Sequence, residues 1–396
     1  MASPVSDLLD QIKIIDTDTH IIEPYDLWTS RVSTQRWGNM VPHVEWSEAE
    51  QQDVWIFGDT ILQAAAGSAM AGWREYPPGN PPRIGDAEPD TYDADLRLKR
   101  MDADGIHAQI LYPNVQGFGT GRFAAMNDTD LMLACVKAYN DYLVDWSASD
   151  RSRLIPVAAL PFWDLDDTIK EMERAKSLGH KGFTFSTGPE FYGLPHLTDP
   201  HWDTVWAAAQ DHDLSVNFHI GSGDRSAKDA PSESIGKHAK FASSTVKFFM
   251  GNVKGLADVI HAGICHRFPN LKFVSVESGV GWIPYALEAM DWNWRNCGVQ
   301  YEHPEYELLP SEYFKRQMYG CFWHENATLR YALDSLGPEC ILFETDFPHP
   351  TSMSPGPATF AQAPRDYIEE KLGDLPPETL RKILHDNAAK LYHLDD

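Results

Sequence analysis

The chain has 396 residues, of which 43% are hydrophobic, and this is enough apolar content for a sizeable core. Lys and Arg number 33 against 58 Asp and Glu, so the formal net charge is −25. This acidic balance argues against nucleic acid and anionic membranes as partners. Neither a signal peptide nor an apolar run long enough to cross a bilayer is evident, and the five cysteines are scattered. We therefore expect a cytoplasmic protein with reduced cysteines.

The first predicted strand, Ile12–Thr19, leads into a cluster of ionisable side chains. Side chains alternate along a strand, so Asp18 and His20 point to the same side. A carboxylate and an imidazole placed together offer oxygen and nitrogen ligands to one metal ion. Glu23 follows on a turn that Pro24 restrains. The alternative is that these residues are only turn, capping and structural residues.

Residues 30–90 form a loop-rich stretch without a sustained hydrophobic period. Pro, Gly and Trp are frequent there, and the segment Tyr76–Pro82 cannot be helical. A connection this long inside a compact domain is usually functional or an insertion. We predict an insertion, with a short hairpin around Val54–Leu62, that covers the end of the first strand within a single domain, residues 1–396.

The rest of the chain alternates between short apolar runs and helical patterns. Predicted helices include Asp93–Asp104, Asn127–Ser149, Leu165–Leu178 and a largely helical Phe241–Arg267. Eight strands are predicted, near residues 14, 108, 157, 184, 216, 274, 320 and 343. Such alternation predicts an α/β fold with parallel strands, and eight of them favour a closed (β/α)₈ TIM barrel. No Gly-rich phosphate turn follows the first strand, which argues against an open doubly wound sheet.

Side chains that bind metals or move protons occur at the carboxyl ends of these strands, where barrel enzymes carry their chemistry. His219 follows the fifth strand, Glu277 the sixth and His324 the seventh. Asp346 and His349 follow the eighth. We predict a divalent metal site here, with Glu277, Asp346 and His349 also candidates for catalysis. The predicted ligands are Asp18, His20, Glu23, His219, Glu277 and Asp346, with His324 and His349 as further candidates. Structural alternatives remain: Glu23 as a turn cap, Glu277 in a buried ion pair, and His349 ordering its loop.

Three of these motifs resemble the amidohydrolase superfamily. They are Asp-x-His after the first strand, a lone His after the fifth, and Thr-Asp-Phe-Pro-His after the eighth. The resemblance is closest to the amidohydrolase-related branch, which includes aminocarboxymuconate semialdehyde decarboxylase and γ-resorcylate decarboxylase. It implies a distorted barrel of the metal-dependent hydrolase type, holding a metal through Asp18, His20, His219 and Asp346. The decarboxylases of this branch carry a His after strand 6, where this chain has Glu277.

The carboxylates Asp18, Glu23, Glu277 and Asp346 would place much negative charge around one ion. Two ions balance it better, and carboxylate-rich sites suit Fe and Mn. This set resembles the dinuclear 2-aminoisobutyrate oxygenase type. We therefore expect O₂-dependent oxidation of a small carboxylate-bearing substrate. One alternative is a decarboxylase or hydrolase with a single Zn or Mn, and another is a non-catalytic paralogue.

The expected partner is a small molecule, and its carboxylate needs a local cation in so acidic a protein. Arg122, Arg225 and Arg295 are candidates for this role, and the sequence does not choose among them. We also expect an oligomer, built from identical subunits or with a paralogous subunit.

Overall fold

A computed structural model describes residues 4–117, 119–124, 126, 128–223 and 231–394. Eight parallel strands form its centre, in two sheets of order β1-β5-β6 and β11-β10-β9-β8-β7. The strands in these residues are β1 Ile14–His20, β2 His43–Ser47, β3 Gln52–Phe57, β4 Thr60–Ala64, β5 Ile106–Tyr112, β6 Leu154–Pro156, β7 Gly182–Thr184, β8 Ser215–His219, β9 Phe273–Val276, β10 Met318–Phe322 and β11 Ile341–Phe343. Each predicted strand of the barrel is present.

The two sheets join at both seams, which completes a distorted barrel. Ala158, just after β6, bridges to Phe183 of β7 in parallel register. At the other seam Thr19 of β1 bridges to Phe347, beyond β11, and the His20 amide donates to the Phe347 carbonyl at 2.7 Å. All eight carboxyl ends therefore meet at one rim, and the predicted fold class is confirmed.

Helices connect the strands and surround the barrel. Asp93 and Asp128 cap the helices that follow them by accepting the amide hydrogens of Leu96 and Leu131, each at 2.9 Å. None of the helices in the described ranges is long and apolar enough to cross a membrane. The α-helices are α1 Pro4–Leu9, α2 Thr34–Trp37, α3 Ala94–Asp104, α4 Gly121–Ala124, α5 Thr129–Trp146, α6 Leu165–Leu178, α7 Asp203–Asp211, α8 Lys237–Phe249, α9 Asn252–His261, α10 Ile264–Arg267, α11 Ile283–Asn296, α12 Val299–Glu302, α13 Pro310–Gln317, α14 Ala327–Leu336, α15 Pro364–Tyr367, α16 Pro377–Arg381 and α17 Asn387–Tyr392.

The stretch Phe241–Arg267 is largely helical, as predicted, and it is divided among three helices, α8, α9 and α10. Gly263 separates the last two with φ +68°, a left-handed conformation that favours glycine. A Cβ atom there would lie 2.1 Å from the Tyr306 hydroxyl oxygen. Hydrophobic periodicity runs through such a break, so the sequence pattern did not reveal it.

The insertion contains a three-stranded antiparallel sheet of order β2-β3-β4. The hairpin expected around Val54–Leu62 is its β3-β4 pair. Trp55 of β3 is fully buried and packs edge-on against Trp28, with ring centroids 5.0 Å apart. The Trp28 indole donates to the Cys135 carbonyl on α5 at 3.0 Å. The insertion is thus anchored to a barrel helix through two buried tryptophans.

Candidate metal centre

Four barrel strands bring a cluster of buried side chains to the carboxyl rim. Asp18 and His20 lie on β1, and His219 ends β8. Glu277 directly follows β9, and Asp346 lies three residues beyond β11. All five side chains are buried, although their positions in the sequence span more than three hundred residues. The parallel strand order places them side by side.

The ligand atoms of this cluster lie within a few ångströms of one another. His20 Nε2 and His219 Nε2 each lie 3.4 Å from the same Asp18 oxygen, and 3.2 Å from each other. His219 Nε2 also lies 3.4 Å from a Glu277 oxygen. His20 Nε2 lies 3.7 Å from Asp346 Oδ1. Asp18, His20, His219 and Glu277 therefore form one compact group of four side chains that could hold a metal ion.

The protonation pattern of this cluster suits a bound cation. His20 Nδ1 lies 3.2 Å from the Pro113 carbonyl, and His219 Nδ1 lies 3.0 Å from the Ile220 carbonyl. Carbonyl oxygens only accept hydrogen bonds, so both Nδ1 atoms carry hydrogen and a neutral ring presents its Nε2 lone pair to the cluster. Burial lowers the pKa of His20 to about 3, which keeps its ring neutral.

The Asp18 carboxylate strengthens this assignment. It is fully buried, and no backbone amide, hydroxyl, Lys or Arg among the described residues donates to it, while the Nε2 atoms of His20 and His219 lie 3.4 Å from one of its oxygens. A buried carboxylate without such partners is strongly disfavoured unless a cation balances it. Lone pairs and carboxylate oxygens thus converge on one point, and a divalent ion fits these residues.

A second group overlaps the first and consists of His20, Glu277, Asp346 and His349. His349 Nδ1 lies 2.8 Å from Asp346 Oδ1, and its Nε2 lies 2.6 Å from Asn114 Oδ1. The Asn114 amide nitrogen donates to the Ile21 carbonyl at 2.6 Å, which turns its oxygen toward His349. His349 is therefore engaged at both ring nitrogens, by an ion pair with Asp346 at Nδ1 and a hydrogen bond with Asn114 at Nε2. This arrangement gives His349 the role of orienting Asp346.

Two predicted ligands lie outside both groups. Glu23 is buried, and its Oε1 accepts the backbone amides of Asn114 and Val115 at 2.8 and 3.0 Å. Its contacts hold the loop that carries Asn114. His324 is exposed and packs edge-on against Trp323, with ring centroids 4.5 Å apart. Neither side chain contributes to the cluster as it stands.

Backbone strain marks the two carboxylates that follow β9 and β11. Glu277 has φ +54° and Asp346 has φ +58°, a region that non-glycine residues rarely occupy. A Glu344 oxygen accepts the Glu277 amide at 3.1 Å and holds that turn. Burial raises the pKa of Glu277 well above its usual range, and nearby Asp346 and Asp18 add to the effect. Glu277 is thereby suited to carry a proton.

A buried polar layer beneath the cluster was not fully anticipated from the sequence. Asp16 accepts hydrogen bonds from the amide and hydroxyl of Thr345, at 2.8 and 2.6 Å, and from Gln109 at 3.2 Å. Arg97 is fully buried, donates to Gln109 and to the His20 carbonyl, and so holds the end of β1. Asp16 lies within the first predicted strand, so the sequence shows its position but not its partners. The Arg97 contact depends on how α3 packs against β5 and so brings the Arg97 side chain to the end of β1, which no local pattern encodes.

A cavity of about 270 Å³ opens beside the cluster, and Glu277, His349 and Asn114 reach its wall. Of the three arginines considered from the sequence, Arg122 lines this cavity. Arg295 is exposed at the end of α11, and Arg225 lies outside the described residues. The remaining lining residues are Gln63, Gly67, Ser68, Gly117, Ile220, Gly221, Phe241, Ser244, Thr245, Phe248, Pro350 and Thr351.

Known proteins resemble this chain over most of its length. A γ-resorcylate decarboxylase from Polaromonas sp. is 27% identical over 269 residues, which cover 64% of this chain and 76% of that protein. The fold matches an amidohydrolase from Mycobacterium avium subsp. paratuberculosis with a TM-score of 0.73 at 20% identity, over 96% of this chain and 99% of that one. It also matches a manganese-bound dihydroxybenzoic acid decarboxylase from Polaromonas sp. JS666, with a TM-score of 0.62 at 19% identity, over 97% and 98% of the two chains.

The Amidohydrolase family model matches residues 15–394, which is nearly the whole chain. This match begins at the second residue of β1 and includes the other seven strands of the barrel and every member of the buried cluster. The chain therefore belongs to the amidohydrolase family and is a metal-dependent enzyme of that superfamily.

Proposed function

We propose that the protein is a non-oxidative decarboxylase that uses one divalent ion and acts on a small carboxylate-bearing substrate. From the sequence, a decarboxylase with a single ion is the alternative to the expected O₂-dependent oxidation at a dinuclear Fe/Mn site. The decarboxylases among its relatives support it. Asp346 and Asn114 occupy the two ring nitrogens of His349, so the side chains that remain can serve as ligands for one ion. This observation carries the proposal.

The count of nitrogen ligands supports a single ion. His20 and His219 each present one Nε2 atom to the cluster, because their Nδ1 atoms are hydrogen-bonded to carbonyls. His349 has no ring lone pair left for a metal while it bridges Asp346 and Asn114. The two overlapping groups share His20 and Glu277, so they describe neighbouring ligands of one centre better than two complete sites. Asp18, His20, His219 and Asp346 would hold the ion, with Glu277 beside it.

Manganese is the ion that we propose, since oxygen-rich sets with a few imidazoles suit it and a relative in fold binds it. When bound, the ion would polarise a substrate oxygen and stabilise the negative charge that develops in the reaction. The intact ligand set also argues against a non-catalytic paralogue.

Glu277 supplies the proton in this proposal. The bond between the substrate carbon and its carboxylate breaks, CO₂ leaves, and the electron pair stays on the carbon. The Glu277 carboxyl then gives its proton to that carbon and becomes a carboxylate. Its place on the cavity wall, with one oxygen 3.4 Å from His219 Nε2, suits a general acid at the edge of the cluster. Asn114 and His349 keep Asp346 in place, and the buried cluster excludes bulk water.

The experiment that tests this proposal measures CO₂ release under strictly anaerobic conditions. Protein loaded with Mn²⁺ is offered γ-resorcylate, 5-carboxyvanillate and related hydroxyaromatic acids, and metal content is measured in parallel. We expect about one Mn²⁺ per chain and full turnover without O₂. Turnover that requires O₂, together with two bound ions, would overturn the proposal in favour of the oxidative reaction. Protein without added metal is the control.

A further inference from the structure

A second cavity, of about 440 Å³, adjoins the cavity beside the metal cluster, and we call it the outer chamber. The two cavities share four lining residues at their boundary, Phe241 and Thr245 of α8 with Pro350 and Thr351 of the loop after β11. The cavity beside the cluster measures about 270 Å³, just below the roughly 300–1,000 Å³ of ordinary small-molecule pockets. The outer chamber therefore adds room for a ligand larger than the inner cavity alone would hold.

Three separate elements form the wall of the outer chamber, and hydrogen bonds join them. Tyr76 and Pro77 come from the insertion, and His238 comes from α8. His238 Nδ1 donates to the Pro77 carbonyl at 2.7 Å, which joins α8 to the insertion. The Met70 amide donates to the Pro348 carbonyl at 2.9 Å, which joins the insertion to the loop after β11. The insertion is therefore part of a defined cavity wall.

The wall of the outer chamber is mainly apolar. Among the described residues that line it there is no carboxylate, Lys or Arg. The Thr245 hydroxyl donates to the Phe241 carbonyl at 3.0 Å, and the Thr351 hydroxyl donates to Asp346 at 2.7 Å, so both hydroxyls already have acceptors. Such a wall offers contact area to an apolar group and little to a charged one.

An apolar wall is more than a passage for a small hydrophilic acid requires. Tyr76 is 51% exposed, and Ala242, which also lines the chamber, is exposed as well. Contiguous exposed apolar surface is uncommon on soluble proteins and often marks a ligand groove. An apolar group bound in the chamber would take these side chains out of water, which favours binding.

We propose that the outer chamber binds an apolar extension of the substrate, such as a second ring. The inference rests on the proposed decarboxylation and specifies its substrate as an aromatic acid longer than a single ring. The acid group lies at the metal cluster, and the extension passes Phe241 and Thr351 into the outer chamber. The small side chain of Ala242 leaves space for it on the α8 side.

Probes that differ in an added ring test this assignment on the Mn²⁺-loaded protein. Salicylate is the single-ring acid, and 4-phenylsalicylate and 5-phenylsalicylate extend it in two directions. The corresponding pyridin-4-yl salicylates keep the shape with a more polar outer ring. Calorimetry measures binding, and CO₂ release is followed in parallel. We expect one phenyl isomer to bind at least about tenfold more tightly than salicylate, with a more negative heat-capacity change, and its pyridyl analogue to lose part of this gain.

Variants of the chamber wall separate binding there from binding at the metal cluster. Ala242→Trp fills the chamber and should remove the gain from the second ring, while salicylate affinity stays within about twofold. Tyr76→Ala should reduce the gain and Tyr76→Phe should keep it, because the aromatic ring supplies the contact. Val246→Trp is the matched control, since Val246 lies on the same helix, is 60% exposed and lines neither cavity.

Manganese content and circular dichroism establish that each variant is folded. Equal affinity of the wild type for salicylate and both phenyl isomers overturns the inference and leaves the chamber as a passage only. A gain that survives unchanged in both Ala242→Trp and Tyr76→Ala overturns it as well.

The two proposals fail in different ways. If the phenyl acids bind more tightly through the chamber but no acid releases CO₂, the apolar subsite stands and decarboxylation falls. If salicylate and the phenyl acids release CO₂ with equal kcat/KM and Ala242→Trp changes neither value, decarboxylation stands and the subsite is refuted.

Discussion

His20 and His219 bring their Nε2 atoms to within 3.2 Å of each other, and both lie 3.4 Å from one oxygen of Asp18. The carbonyls of Pro113 and Ile220 accept from Nδ1 of the two rings, which turns both Nε2 atoms toward the cluster. Two lone pairs and a carboxylate then face the same point, which is repulsive without a positive charge between them. This relationship indicates that the rim is arranged to hold a positive charge between these side chains.

Replacing His219 by alanine should remove the metal while the barrel stays folded. The substitution deletes one of two neutral nitrogen ligands, and we expect Mn²⁺ affinity to fall at least about 100-fold, more than the loss of an outer-sphere contact causes. Metal analysis by mass spectrometry gives the stoichiometry, and circular dichroism reports the fold. His324→Ala is the control, since His324 is exposed and outside the cluster. Full metal content in His219→Ala would refute the ligand assignment.

Replacing Glu277 by glutamine should abolish proton transfer with little change in shape. A general acid typically contributes 10²-fold to 10⁴-fold, so kcat should fall by roughly 100-fold or more. The Glu277 backbone contact to Glu344 does not involve the replaced group and should persist. Deuterium incorporation at the product carbon in D₂O reports the transfer directly. A variant that keeps its metal and most of its kcat would exclude Glu277 as the acid.

Much of this arrangement could be predicted from the sequence because it follows from local rules. The two-residue period of a strand places Asp18 beside His20, and the barrel rule brings strand ends such as His219 and Glu277 to one rim. These rules need only the order of the strands. They predicted the eight strands of the barrel and the side chains that converge at its rim.

The roles that depend on register and on hydrogen-bond partners could not be predicted. Asn114 meets His349 across 235 positions of sequence, and this contact decides that both His349 nitrogens are engaged. Glu23 remains a predicted ligand, but it lies outside both groups of converging side chains, and backbone amides of a distant loop occupy its Oε1. Proximity along the chain gave no information about those amides. The preference for two ions rested on counting such carboxylates.

The buried His180 should make the protein less stable in acid. Burial lowers its pKa to about 4, whereas the unfolded chain has the ordinary value near 6.5. Below pH 6.5 the unfolded chain therefore binds a proton that the folded chain does not, so stability falls as the pH falls toward 4. The slope is about 1.4 kcal/mol per pH unit, or about 2 kcal/mol between pH 6.5 and pH 5.

Urea unfolding of the wild type and His180→Gln at pH 7 and pH 5 measures this contribution. The glutamine amide can still donate to the Asn140 carbonyl, which lies 3.2 Å from His180 Nε2. We expect the variant to lose about 2 kcal/mol less than the wild type on acidification. Exposed His238→Gln is the control and should follow the wild type. Identical acid sensitivity in His180→Gln would show that His180 is not the group responsible.

Replacing Trp55 by alanine should loosen the insertion and weaken substrate binding together. Trp55 is fully buried against Trp28, and removing such a side chain costs about 3–5 kcal/mol of unfolding free energy. The β3-β4 pair also carries Gln63 to the cavity, so KM for the best substrate should rise more than kcat falls. Trp46→Ala is the matched control, because Trp46 is 36% exposed and should cost under about 1 kcal/mol. Equal losses in the two variants, or an unchanged KM in Trp55→Ala, would show that the insertion does not position the cavity wall.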